Sequence, residues 1–222
     1  MKRNIIILIS LYLLGCASVP KQITFNDDNK KSIKKVALVL KKNKSVKVKS
    51  ATEQSDETIA VLAGLPGAVI EGVVRGSVDN NKTKKIQEVL KGENFEEILL
   101  SSFEETIRKE NLFEVVRCDE KEVVKLKKEK GADAIIELEV KEFSVQKGSE
   151  TSNLQAFMRV LGKMMATDNQ KVLWEKQVFE TEVGSYSLDE YIANDGAILR
   201  KSLNEVINQT GKKLGKSLAY GD

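Results

Sequence analysis

The sequence predicts an α/β domain, bordering on α+β, built on a mixed sheet of about five strands. A short, continuous apolar run at residues 36–40 is typical of a strand that is buried on both faces. Helical and strand periods then alternate across residues 94–140, the order expected for parallel β-α-β units. Two alternating stretches and a long amphipathic pattern follow. We therefore expect a parallel βαβαβ core, an antiparallel hairpin and a long carboxy-terminal helix.

At the amino terminus, Lys2 and Arg3 precede a mostly apolar run at residues 5–14, which is followed by Gly15 and Cys16. This stretch resembles the signal of bacterial lipoproteins. About ten residues rise only about 15 Å as a helix, roughly half the hydrocarbon core of a bilayer. This run is therefore too short to span a membrane.

Cys16 separates this signal from an ordinary secretory one. An ordinary signal prefers a small residue at the third-last position before the cut, whereas Leu13 lies there. The lipoprotein resemblance implies removal of residues 1–15, a diacylglycerol thioether on Cys16 and usually a third acyl chain, such as palmitate, on the new amino terminus. Two or three acyl chains make membrane attachment effectively permanent. Ala17, rather than Asp, implies export to the outer membrane, with the domain on the periplasmic face.

Composition excludes several classes of function. The 36 basic and 33 acidic residues give a net charge of +3, and loss of Lys2 and Arg3 lowers it further, so no nucleic-acid partner is predicted. The absence of histidine argues against serine–histidine triads and the usual zinc hydrolases. No glycine-rich nucleotide fingerprint is present. Glu137 and Glu139 alternate with apolar residues, which favours a solvent-facing strand over paired-carboxylate catalysis. We expect no catalytic residue, metal site or cofactor.

Cys118 is the one thiol left once Cys16 is alkylated, so a disulfide within one chain is excluded. Buried free cysteine behaves as a small hydrophobic residue. Cys118 is therefore either a buried side chain or a thiol that forms a disulfide with another chain.

The sequence after the signal divides into a polar tether at residues 16–33 and one α/β domain at residues 34–222. Val46 and Val48 suggest a second, half-exposed strand. Nine lysines lie between Lys30 and Lys49 without an acidic residue. They either form a solvated strand face that blocks edge pairing or contact anionic lipid headgroups.

A glycine-rich apolar insertion is expected at residues 58–77. Its small residues recur every four positions and would share one helical face: Ala60, Gly64, Ala68, Gly72 and Gly76. Such a face allows two backbones to approach closely, which would support self-association or membrane contact, although Pro66 would kink a helix. The alternative is a loop or helix that packs on its own domain.

Cap and turn patterns place the other elements. A short helix should end at Gly92, and Asn94 with Glu97 predicts a capping box for an amphipathic helix that ends near Glu110. A strand at 112–116, a helix opened by Asp119 and Glu122, and a strand from Ala134 should follow.

The last third of the chain should hold the hairpin and the final helix. A shift of the apolar phase predicts a β-bulge near Lys141 and Glu142. The hairpin strands are expected at 154–166 and 172–179. Ser187 with Glu190 should then open the carboxy-terminal helix.

These elements resemble the α/β domain of the curli-secretion lipoprotein and the penicillin-binding-protein activator lipoproteins. The resemblance lies in the signal, the first strand, Gly131-Ala132-Asp133 before the strand from Ala134, and a hairpin near Leu173-Trp174-Glu175. It implies a domain without enzymatic activity that binds envelope proteins, often as an oligomer. The glycine-rich insertion departs from this group because it lacks the alternating pattern of a membrane β-hairpin.

We therefore expect a lipid-anchored envelope adaptor that supports assembly or transport through protein contacts. Two alternatives stay open: an oligomeric secretion component that uses the glycine-rich insertion, and a binder of lipids or other amphiphiles.

Overall fold

The structure, a computed structural model, describes residues 22–41, 58–60, 85–86, 88–129, 131–147 and 153–221. Its helices and strands, in chain order, are α1 (Asp27–Ser32), β1 (Lys35–Lys41), β2 (Thr58–Ala60), α2 (Phe95–Lys109), β3 (Glu114–Arg117), α3 (Glu120–Glu129), β4 (Ala134–Lys147), β5 (Leu154–Ala166), β6 (Val172–Thr181), α4 (Leu188–Ile192) and α5 (Ala197–Tyr220). Helical residues also lie at 85–86 and 88–90, and a 3-10 turn spans Asn194–Gly196.

The strands form one mixed sheet in the order β3-β1-β4-β5-β6, with β2 also paired to β4. β1 runs parallel to β3 and β4, because α2 and α3 carry the chain back across the sheet between successive strands. The β4–β5 and β5–β6 pairs are antiparallel. The predicted α/β class, with a parallel core, a hairpin and a long final helix, is confirmed. β2 is an addition to the five strands expected.

β1 is an interior strand, as its sequence predicts. Its side chains from Val36 to Leu40 are all buried. Those of Val36, Leu38 and Leu40 join the main core, whereas those of Ala37 and Val39 join a smaller cluster with Val123 of α3. Burial on both faces explains why this strand lacks polar alternation.

The predicted bulge in β4 is confirmed. The register with β5 shifts between Val140 and Glu142. Val140 and Phe143 are both buried, although their positions differ by three, which in a regular strand would put their side chains on opposite faces. The extra residue keeps the apolar side chains on the core face on both sides of the bulge.

Gly162 lets the ring of the single tryptophan approach the backbone of β5 closely. Alternate residues of β5 are buried, and Gly162 falls in that phase. A β-carbon at position 162 would come within 2.6 Å of Cζ3 of Trp174 and within 3.2 Å of a methyl group of Leu214. The glycine therefore supplies the space that the indole ring occupies between the sheet and α5.

α2 and α5 cover the same face of the sheet and pack closely on each other. A β-carbon at Gly211 of α5 would overlap the side chain of Ser102 and come within 2.9 Å of the Leu99 carbonyl oxygen. One turn later, a β-carbon at Gly215 would come within 2.7 Å of Thr106. Two glycines four residues apart thus bring the helix backbones together.

The first two predicted caps of the parallel core are formed to different extents. The Asn94 side chain accepts from the Glu97 N–H at 3.1 Å, but the Glu97 carboxylate binds Ser101 and Arg117, so this box is only half formed. Asp119 caps α3 by accepting from the Glu122 N–H at 2.8 Å. The prediction that a helix begins there is confirmed.

The Ser187–Glu190 capping box is present, but it opens α4 rather than the long helix. α4 ends at Ile192. Asn194, Asp195 and Gly196 then have positive φ, a conformation that interrupts a right-handed helix. α5 therefore begins only at Ala197, and the prediction of one continuous helix is wrong.

The second half of the predicted tether is part of the domain. Ile23 forms an antiparallel bridge with Glu175 of β6. Phe25 is buried and meets the Phe113 ring edge to face, at 6.3 Å between centroids. α1 follows at Asp27–Ser32. Two isolated apolar residues in a polar stretch are enough to fix the chain here, so residues 23–33 do not form a free tether.

Four smaller predictions, on a helix end, two strands and the start of the glycine-rich insertion, have different outcomes. Gly92 has a φ of +91° just after the helical residues 88–90, as a terminating glycine requires. The predicted strand at 112–116 begins at Glu114 instead. Ala60 lies in β2, so a helical face cannot extend to it. The strand suggested by Val46 and Val48 lies outside the described residues.

Candidate functional site

One face of the sheet, formed by β4, β5 and β6, lies opposite the face that α2 and α5 cover. Its residues alternate with the buried residues of the same strands, and within the described chain α3 packs over β1 and over Ile135 at the start of β4. We call this surface the open face, and it includes Glu137, Glu139, Glu142, Phe157, Arg159, Leu161, Lys163, Glu175, Gln177, Phe179 and Thr181.

Paired charges run across the open face. The Lys163 ammonium lies 3.8 Å from the Glu175 carboxylate, with Glu137 opposite Lys163 on the other neighbouring strand. The Lys141 ammonium lies 2.6 Å from the Glu139 carboxylate. These side chains are only partly exposed, at 19–35%. The predicted solvent-facing strand is therefore only partly right.

Half-buried apolar side chains lie between those charges. Leu161 is at the centre of β5, opposite Glu139 on one neighbouring strand and Gln177 on the other. Phe157 lies four residues earlier on the same face, and Arg159 between them pairs with Glu142. An aromatic ring, an aliphatic chain and an arginine within a polar surround match the composition of non-obligate protein interfaces.

An open groove of about 430 Å³ runs along the outer edge of β6. Its lining residues are Gln177, Val178, Phe179, Glu180, Thr181 and Lys213 of α5. Phe179 is 66% exposed. Lys213 binds the Glu180 carboxylate, so one cation and one anion of the groove neutralise each other.

Glu182 is the centre of a polar cluster just after β6. Its carboxylate accepts hydrogen bonds from the Tyr191 hydroxyl at 2.5 Å, from the Ser202 hydroxyl and from the Ala156 N–H at 3.2 Å. Burial, and then the bond to Glu182, raise the pKa of Tyr191 well above its ordinary value. The cluster ties β5, α4 and α5 to the end of β6. All its donors point at one carboxylate, which is the arrangement of a structural bond network.

Arg117 joins the end of β3 to α2. Its guanidinium lies 2.6 Å from the Glu104 carboxylate and 2.8 Å from the Glu97 carboxylate. The bond to Arg117, and then that to Ser101, lower the pKa of Glu97. Both carboxylates are therefore occupied by cations. This network and the Glu182 cluster were not predicted, since their members are far apart in the chain and carry no motif.

Cys118 is half-buried, so the predicted buried thiol is only partly right. Its sulfur lies 3.7 Å from the Leu38 carbonyl oxygen. Burial first, and then the charges of Glu122 and Asp119, raise the pKa of the thiol to about 11. Because the thiolate is the nucleophile, this thiol is poorly suited to covalent catalysis at neutral pH.

The site residues named from the sequence lie outside the described residues. They are Cys16, Gly64, Ala68, Gly72 and Gly76. In the described part of the chain, no group of three or more Cys, Asp or Glu side chains could hold a metal ion. Among the described helices, none is both long and apolar enough to cross a membrane.

The fold and this surface define a mixed-sheet α/β domain that two helices cover on one face. No known family model and no curated protein matches the chain. Among solved structures it is similar to the PelC dodecamer of Paraburkholderia phytofirmans, at 14% identity over 89% of this chain and 95% of that one, with a TM-score of 0.47.

Two bacterial lipoproteins are also similar to this chain. For the minor lipoprotein of Acinetobacter baumannii the identity is 7%, the coverage is 86% of this chain and 95% of that one, and the TM-score is 0.43. For lipoprotein GNA1162 of Neisseria meningitidis the corresponding values are 15%, 59% and 90%, and 0.31. The closer resemblance to the curli-secretion and penicillin-binding-protein activator group stays a prediction.

Proposed function

We propose that this chain is a lipid-anchored envelope protein without enzymatic activity, which supports assembly or transport by binding another envelope protein. The observation that carries the proposal is the open face. There Phe157, Arg159 and Leu161 form a mixed apolar and charged surface on a rigid strand. Rigid elements position binding residues more precisely than loops do.

The anchor in this proposal is Cys16. The apolar run at 5–14 and the residues around the cysteine support lipidation after removal of residues 1–15. Ala17 supports the outer membrane as the destination, with the domain in the periplasm. Acyl chains on Cys16 would then hold the open face within reach of membrane-bound partners.

The described charged groups support a binding function over an enzymatic one. Glu97 and Glu104 are held by Arg117, Glu182 is held by Tyr191 and Ser202, and Glu139 is paired with Lys141. General acid–base catalysis needs a group free to exchange a proton with a substrate. These carboxylates are instead bound to structural partners.

The experiment compares matched variants of the full-length, lipidated protein. Leu161→Glu replaces an apolar side chain of the open face with a carboxylate, between Glu139 on one neighbouring strand and Gln177 on the other. Lys171→Glu changes an exposed residue just before β6 and serves as the control. Each protein is purified from detergent-solubilised membranes after mild crosslinking, and its membrane fraction and melting temperature are recorded.

We expect one defined envelope protein to copurify with the wild type and with Lys171→Glu, and at least tenfold less of it with Leu161→Glu. All three should melt alike, because Leu161 lies outside the main core. A wild-type protein recovered alone, or equal recovery with both variants, would contradict the proposal.

Self-association through the glycine-rich insertion is a separate proposal. It rests on the four-residue spacing of Gly64, Ala68, Gly72 and Gly76. It predicts an oligomer whose formation depends on the small size of those residues, independently of the open face.

A further inference from the structure

The first described residues of the chain are fixed on β6, which limits where the lipid anchor can be. Ile23 and Glu175 exchange both backbone hydrogen bonds, and the Lys176 ammonium lies 3.0 Å from the Gln22 side-chain oxygen. Six peptide units separate Gln22 from Cys16. At about 3.6 Å each they reach at most about 22 Å. The anchor therefore lies close to the β6 side of the domain.

The direction of the chain selects one end of that strand. The bridge between Ile23 and Glu175 is antiparallel, so Gln22 lies on the side of Ile23 that faces the carboxyl end of β6. Contact between Gln22 and Lys176 agrees with this direction. Thr181 lies six residues beyond Glu175, about 20 Å along a strand. The reach of the anchor thus matches the distance to the end of β6.

Two of the three large exposed apolar side chains of the described residues lie at this same end. Val183 is fully exposed, and Phe179 is 66% exposed. The third, Tyr220, ends α5 near Thr24 and is hydrogen-bonded to Glu110. Exposed apolar residues on a protein tethered by a short chain favour contact with the lipid interface.

We propose that the carboxyl end of β6 faces the membrane, with Phe179 and Val183 entering the headgroup region of the lipid surface. This inference rests on the proposed lipid anchor at Cys16. The tether length, its direction on β6 and the two exposed side chains all place the same end of the sheet toward the bilayer.

The test uses the full-length, lipidated protein in vesicles of phosphatidylethanolamine and phosphatidylglycerol. An environment-sensitive fluorophore is attached at Val183→Cys or, as the control, at Lys171→Cys at the opposite end of β6, both with Cys118→Ala. Brominated lipids supply contact quenching. Vesicle flotation and the mass of the amino-terminal peptide report the anchor independently.

We expect a blue shift and at least threefold stronger quenching at position 183 than at position 171. Replacing Phe179 with Ser should weaken quenching at position 183 while flotation is unchanged. The inference would be overturned if quenching at position 183 were equal to or weaker than that at position 171. It would also be overturned by a blue shift at position 183 without quenching, because a docked protein strand would shield the label in that way. Loss of flotation or an unmodified Cys16 would instead refute the proposed function.

Discussion

Ile23 and Glu175 form a two-bond antiparallel pair, with N–O distances of 3.0 and 2.9 Å, although 152 positions separate them in the chain. This pair fixes the last part of the predicted tether to the edge of β6 through an isolated β-bridge. It also sets the length of free chain between the domain and Cys16. Its loss should therefore change both stability and the position of the anchor.

Ile23→Pro should remove one of these bonds, because proline lacks the N–H that donates to the Glu175 carbonyl oxygen. We expect about 0.5–1.5 kcal/mol lower stability, the usual net contribution of one hydrogen bond. Hydrogen exchange of the Glu175 amide should accelerate, because its acceptor on Ile23 is displaced. Gln22→Pro is the matched control, since its N–H points away from β6. Equal exchange in the two variants would show that the pair does not persist in solution.

Gly162→Ala should destabilise the core, because its β-carbon would press on the Trp174 ring. Overpacking of this kind typically costs about 1–3 kcal/mol. Since the chain has one tryptophan, its fluorescence reports the site directly. We expect a lower melting temperature and an altered emission maximum. Leu161→Ala, the adjacent residue on the open face, should leave the emission maximum unchanged, and an unchanged emission maximum in Gly162→Ala would refute the packing described here.

Cys118 should react slowly with iodoacetamide in the folded protein. Burial raises the pKa of the thiol from 9.0 to about 11, so at pH 8 the thiolate fraction falls roughly 100-fold. The raised pKa also means that the contribution of the neutral thiol to stability is present below pH 9 and is lost as the pH rises toward 11. Alkylation rates are compared in buffer and in denaturant, with a chain that lacks Cys16. Similar rates would contradict the described burial.

Gly72→Leu separates two views of the glycine-rich insertion. If Gly64, Ala68, Gly72 and Gly76 meet another copy of the chain, the larger side chain should dissociate the oligomer and leave the fold intact. If they pack on their own domain, overpacking of about 1–3 kcal/mol should lower the melting temperature without a change of mass. Light scattering and a thermal melt decide between them. No change in either measurement would count against both views.

The sequence identified features that depend on local period. Residues 36–40 marked the interior strand because every side chain is apolar, and the phase shift after Val140 located the bulge. Alternation on β5 gave the core face of that strand. Each of these signals lies within a few residues of the feature that it predicts.

The features that were missed depend on contacts between distant residues. Ile23 and Phe25 lie in a stretch without apolar period, so their docking on β6 and Phe113 left no signal. Close backbone packing was one alternative for the small residues at 58–77, most of which lie outside the described residues. The described structure shows such packing at Gly211 and Gly215, which carry no local signal of it because their partners on α2 are more than a hundred residues earlier.

The measurement that tests the central proposal most directly is site-specific photocrosslinking in intact cells. A photoreactive phenylalanine derivative replaces Leu161 on the open face or, as the control, Lys171 at the opposite end of β6. The account predicts one discrete product with an envelope protein from position 161, much less from position 171, and loss of that product when Cys16→Ser removes the anchor. No product from position 161, or the same product from both positions, would contradict a lipid-anchored protein that acts through its open face.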